Sequence, residues 1–214
     1  MTDSDFCLDP GLIYLNHAAV SPWPRRTAEA VKAFAEENAR LGSSRYPYWM
    51  KTEQALREQL QRLLNARSAD EIALLKNTSE ALSTVAYGLA WQPGDNVVIS
   101  NLEFPSNRIV WESLDKYGVD TRIAEITDVD AAEDAIIGQI DTRTRLVSVS
   151  SVQYGTGFRL DLARLGAACR ERDVLFCVDA IQSRGAVRFD VQASHADFAM
   201  ADGHKWMLGP EGVA

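Results

Sequence analysis
The sequence predicts an α/β fold, three-layered and built on a mainly parallel, doubly wound sheet. Two observations carry this expectation. Short apolar runs rich in β-branched and aromatic residues alternate along the chain with stretches of helical periodicity, the pattern of successive βα units. Two of those runs, residues 174–178 and 196–201, lead into polar residues, Asp179 after the first and Asp202-Gly203-His204-Lys205 after the second, so that one carboxylate and one lysine leave the same edge of one sheet. With 214 residues, 46% of them hydrophobic and 24% charged, the chain can bury one substantial core.

Taken in order, residues 12–19 form a short extended run ending in small residues, and Ser21-Pro22 reads as a helix entry. Apolar positions recur at helical spacing over residues 24–41 and 50–64, with an aromatic and arginine-bearing loop at 42–49 between them. Residues 72–75 read as a brief strand that turns through 76–81 into a helix over 82–91. Thr78 and Ser79 at that helix start suit either of two roles. Hydroxyl residues cap helices, and free amides at the positive end of a helix also suit an anion. Pro93-Gly94-Asp95 makes a turn before a strand at 96–100, which delivers Glu103-Phe104-Pro105-Ser106-Asn107 to the same sheet edge. The rest is expected as helix 109–117, strand 121–126, helix 129–140, strand 145–152 and helix 162–172, with right-handed crossovers.

The net charge of -8 argues against nucleic acid or an anionic membrane surface as the main partner. No apolar segment approaches a membrane span, and residues 1–9 are acidic rather than signal-like, so a cytoplasmic location is expected. Cys7, Cys169 and Cys177 show neither metal spacing nor a CxxC pair; no metal is expected, and Cys169 and Cys177 read as reduced packing residues. The dinucleotide and P-loop fingerprints are missing, which removes support for those nucleotide folds.

Lysine at such a sheet edge can be desolvated into a neutral amine that attacks carbonyls, and an aspartate there can hold a proton on a heteroaromatic nitrogen. That pair is what pyridoxal phosphate (PLP) chemistry requires. Spacing alone leaves a second reading open, in which Asp179 and Lys205 are ordinary charges at strand ends.

The stretches Val178-Asp179-Ala180-Ile181-Gln182 and Asp202-Gly203-His204-Lys205-Trp206-Met207-Leu208-Gly209-Pro210 resemble the two signature segments of the class V aminotransferase family. These are PLP enzymes that include cysteine desulfurases, selenocysteine lyases, kynureninases and isopenicillin N epimerases. The resemblance implies that Lys205 carries the cofactor as a Schiff base and Asp179 faces its ring nitrogen. It also implies that Phe104 stacks on the ring, that Gln182 hydrogen-bonds the phenolic oxygen and that Thr78, Ser79 and His204 hold the phosphate. Gln153 and Tyr154 fall near the phenolic oxygen, while Asn16, His17, Arg45 and Tyr46 are weaker substrate-contact candidates. Two departures stand out. Phe104 replaces the histidine of desulfurases and cannot shuttle protons. Asp202 replaces their serine, and because a carboxylate repels phosphate it is expected to point away.

The resemblance divides the chain into an N-terminal arm with helices, 1–66, and a PLP-binding large domain, 67–214, incomplete at its end, with the family's smaller C-terminal domain missing. It implies an amino acid substrate and a homodimer. Desulfurase, selenocysteine lyase or aminotransferase chemistry is expected first. The alternatives are a kynureninase-like enzyme, which Phe104-Pro105-Ser106 favours, an epimerase-type enzyme, and an inert domain that only dimerises.

Overall fold
The computed structural model describes residues 5–214; residues 1–4, part of the acidic N-terminal stretch, lie outside the described residues. Five strands, β1 (Asn96–Ser100), β2 (Asp120–Ala124), β3 (Thr144–Ser150), β4 (Leu175–Asp179) and β5 (Phe198–Met200), form one sheet in the order β2-β1-β3-β4-β5. Every pairing is parallel, as βα alternation requires. The chain leaves β1 for β2 on one side and then crosses to β3 on the other. The order therefore reverses between β1 and β3, and their carboxyl ends flank the crevice where such sheets take ligands.

Strand periodicity sends alternate side chains to opposite faces, and each face has its own core. Val97 and Ile99 of β1 pack with Ala81, Leu82, Ala86, Val110, Trp111 and Leu114 from α3 (Thr78–Gly88), α4 (Ser106–Glu112) and the 3-10 turn Ser113–Tyr117. Val98 points the other way, with Val147, Val149, Phe176 and Val178, onto Ala132, Ile136, Leu165 and Cys169 of α5 (Ala132–Ile137) and α6 (Leu162–Glu171). The result is the expected three-layer α/β arrangement. Cys169 and Cys177 are buried and free, and burial pushes each thiol up to about 12.

Several boundaries differ from the sequence expectation. Residues 72–75 are extended but form no strand; their ladder is the single pair Leu75 and Ala214, which exchange N–H to O bonds of 2.9 and 2.8 Å. The expected helix 109–117 is α4 followed by a 3-10 turn, and 129–140 is a 3-10 turn, Val129–Ala131, leading into the short α5. Helix 82–91 begins earlier, at Thr78, because Asn77 caps it by accepting the Glu80 N–H at 2.8 Å. The extended run 12–19 pairs with no strand among the described residues. The helices α1 (Arg25–Leu41) and α2 (Tyr46–Leu64) bury none of their residues.

Candidate active site
Asp179 is the last residue of β4 and only 2% exposed, since the strand that carries it is covered on both faces. Its Oδ1 accepts the Ile181 N–H at 3.0 Å. Burial pushes its carboxyl up to about 7; the neighbouring charges of Glu103 and Asp202 push the same way, while the Ile181 amide and the Lys205 ammonium oppose them. Lys205 lies beyond β5 on the turn that follows Met200. Burial lowers its pKa, and the charges of Asp179 and Asp202 partly restore it. The two groups act electrostatically on each other, and the Lys205 Nζ stands 5.8 Å from the centre of the Phe104 ring. Phe104 is held edge-to-face by Tyr154, with centroids 5.1 Å apart, and is exposed.

At the start of α3 the hydroxyl of Thr78 is buried without a hydrogen-bond partner, although the residue is only 4% exposed. An orphaned buried hydroxyl is costly unless something fills its need, and a phosphate oxygen beside the helix N-terminus would do so. The neighbouring Ser79 is exposed. Asp202 does not point away, contrary to the expectation from charge. Its Oδ1 accepts the Thr78 N–H at 3.1 Å and its Oδ2 lies 3.5 Å from His204 Nδ1. The reason is the helix itself: the amides and positive end at the start of α3 attract the nearest carboxylate.

The turn bearing Lys205 is clamped by the N-terminal arm. Ser21 donates both its N–H, at 2.9 Å, and its hydroxyl, at 3.1 Å, to the His204 carbonyl, and the same hydroxyl reaches the Lys205 carbonyl. His17 stacks on Trp206 with centroids 5.5 Å apart. Gln182 joins the two pieces, donating to the Ala18 carbonyl at 3.0 Å and accepting the Trp206 indole N–H at 3.0 Å, which leaves one amide hydrogen for a ligand. Gly185 permits this packing. It sits at φ +94°, and a Cβ there would lie 2.3 Å from the Trp206 carbonyl oxygen.

A second cluster lies beneath the β1/β3 crevice. Glu103, 6% exposed, accepts from Ser100 Oγ at 2.7 Å, Asn107 Nδ2 at 2.7 Å, Ser150 N–H at 2.9 Å, Ser150 Oγ at 2.6 Å and Gln153 Nε2 at 3.3 Å. This buried carboxylate is well satisfied and pins the loop that presents Phe104. Sequence reasoning brought Glu103 and Asn107 to this edge and named Gln153, but missed the network that joins them to Ser100 and Ser150, because the partners of Glu103 come from two strands and a helix. Above it, a cleft of about 160 Å³ is lined by Asn101, Leu102, Gln153, Tyr154 and Thr156. Arg45 is not brought to these groups by any contact. It pairs with Glu37 of α1 at 2.8 Å, and Tyr46 packs beside Trp49. Asn16 accepts, through its carbonyl, from Tyr14 and from the Ala19 N–H. No group of metal-ligating side chains occurs among the described residues.

A parallel sheet with a buried carboxylate, a desolvated lysine and a helix N-terminus along its carboxyl edge is an arrangement that suits an anionic, nitrogen-bearing cofactor. The family model described as aminotransferase class-V matches residues 13–214, and the chain belongs to that PLP-dependent family. A probable cysteine desulfurase of Methanothermobacter thermautotrophicus is 38% identical over 210 residues, covering 94% of this chain and 51% of that protein. The isopenicillin N epimerase of Streptomyces clavuligerus is 30% identical over 215 residues, covering 96% and 53%. Among solved structures, the cystine C-S lyase C-DES in complex with cysteine persulfide superposes with a TM-score of 0.86 at 25% identity, covering 94% of this chain and 55% of that one. A C-DES mutant with glycine covalently linked to its PLP cofactor superposes at 0.88. The chain spans about half the length of the curated relatives it matches.

Proposed function
We propose that this chain is the cofactor-binding part of a PLP-dependent enzyme acting on an amino acid, most like a cysteine desulfurase or a related C–S lyase. Residues 67–214 form its cofactor domain and residues 1–66 the arm that closes over the lysine turn. The supporting observation is the pair Asp179 and Lys205: a carboxylate buried beyond what its single backbone bond compensates, and a lysine, within its electrostatic reach, whose amine is shifted toward neutrality.

When bound, PLP supplies an aldehyde that captures amines and a ring that draws electrons away from the substrate's α-carbon. The protein's residues do the rest. Lys205, desolvated, offers a neutral amine to the aldehyde and moves the proton at the α-carbon. Asp179 would hold a proton on the ring nitrogen, a cationic partner that would offset the burial of its carboxylate. Phe104 would stack on the ring, and the remaining amide hydrogen of Gln182 would serve the phenolic oxygen. Thr78, Ser79 and His204 take the phosphate. The orphaned Thr78 hydroxyl and the upward-shifted Asp179 both fit such a group; Asp202 is the discordant residue.

Phe104 favours one further reading. Without a histidine over the ring, proton transfer falls to Lys205, which also suits an epimerase or a kynureninase-like lyase. The reading is tested by titrating the purified protein with PLP and then with single amino acids. A visible absorption band should appear on PLP addition and shift most strongly with L-cysteine. A protein that stays colourless in excess PLP would sink it and leave an inert, partner-binding domain.

A further inference from the structure
Asp202 does two things at once. It takes the Thr78 amide at 3.1 Å, and its other oxygen lies 3.5 Å from His204 Nδ1. It is only 8% exposed, so water does little to screen its charge, and that charge is felt at both Asp179 and Lys205. Asn77 already serves the Glu80 amide of the same helix. At this helix start the Thr78 hydroxyl is buried and unpartnered among the described residues.

We infer that Asp202 is a positioning residue that occupies part of the phosphate cup and deliberately weakens it, so that phosphate esters are held loosely unless Lys205 also captures them. The inference rests on the PLP reading. It follows from charge and geometry: a dianion that enters the cup meets a fixed carboxylate on the first helix amide and must either displace it or bind beside it. Removing that negative charge therefore strengthens anion binding, whereas loss of a merely structural cap would weaken it or leave it unchanged. Such a cup suits reactions in which the cofactor returns to Lys205, and disfavours those that leave it as a free amine.

The test uses two anions that carry no aldehyde and so escape capture by Lys205, inorganic phosphate and pyridoxamine phosphate. Their dissociation constants are measured by calorimetry for the wild-type protein, D202S and D202N, each with its unliganded melting temperature. Both variants should bind both anions roughly tenfold more tightly or better, the scale expected when one partly buried charge is removed from beside a dianion. D202N retains an oxygen for the Thr78 N–H, and so decides the matter if D202S fails to fold. Equal or weaker binding by a folded D202N overturns the inference, as does loss of the fold in both variants, which would mark Asp202 as purely structural. If the wild-type protein takes up PLP and D202N gains nothing, only the role of Asp202 falls. If neither protein takes up PLP, the cofactor reading falls with it.

Discussion

Replacing Asp179 with asparagine should stabilise the unliganded protein, and by an amount that grows with pH. The folded-state carboxyl titrates at about 7 against an ordinary value of 3.8, chiefly because it is buried. Below the ordinary value both folded and unfolded chains carry the proton, and the group is neutral in its effect. As pH rises from there, the unfolded chain releases the proton while the folded one keeps it, so stability falls by about 1.4 kcal/mol per unit until the folded carboxyl also ionises. The accumulated loss above pH 7 is of order 4 kcal/mol. Asparagine has the same shape, still accepts the Ile181 N–H, and carries no such loss. Urea denaturation of both cofactor-free proteins at intervals between pH 4 and 8 measures it. The two should be nearly equal at the acid end, with the variant ahead by a few kcal/mol at pH 8. A difference that does not change with pH, or a variant less stable at pH 8, would refute the burial argument. Loading PLP should reverse the order, because the ring nitrogen then gives Asp179 a cationic partner.

Thr78→Val removes a buried hydroxyl that has no partner, so it should leave unliganded stability within about 1 kcal/mol of wild type. The same change should weaken PLP binding roughly tenfold, as read by equilibrium titration, because one hydrogen bond to a charged group is lost. Glu103→Ala should destabilise the fold by about 3 kcal/mol or more in denaturant melts, since it strands Ser100, Asn107 and Ser150 donors in the interior. Glu103→Gln should lose less, as one amide oxygen still accepts. If the two variants behave alike, the network is not what holds the Phe104 loop.

The parts of the architecture that local pattern controls were legible. Strands β1, β3, β4 and β5 are short apolar runs ended by turn residues, and that pattern placed Asp179 and Lys205 at one sheet edge. Where pairing depends on distant chain it was less so: residues 72–75 have a strand-like composition, yet a single paired residue, Ala214, does not make a ladder. The clamp of Ser21 on the His204 carbonyl joins residues far apart in the chain and left no periodic trace. Asp202 was misjudged for a physical reason. A carboxylate repels phosphate, but it is also attracted to the amides at the start of α3, and the Thr78 N–H donates to it. Helices α1 and α2 were evident from periodicity; they bury none of their residues fully, but Phe34 of α1 packs on Trp49 of α2 and Leu64 packs against the core.

The most direct measurement of the central claim is chemical trapping of the cofactor. Protein incubated with PLP is reduced with borohydride, digested, and its peptides are weighed. One modified peptide, carrying the reduced cofactor on Lys205, is expected, and Lys205→Ala should abolish it while Asp179→Asn merely lessens it. Labelling spread over the exposed lysines, or unchanged in the Lys205 variant, would contradict the account.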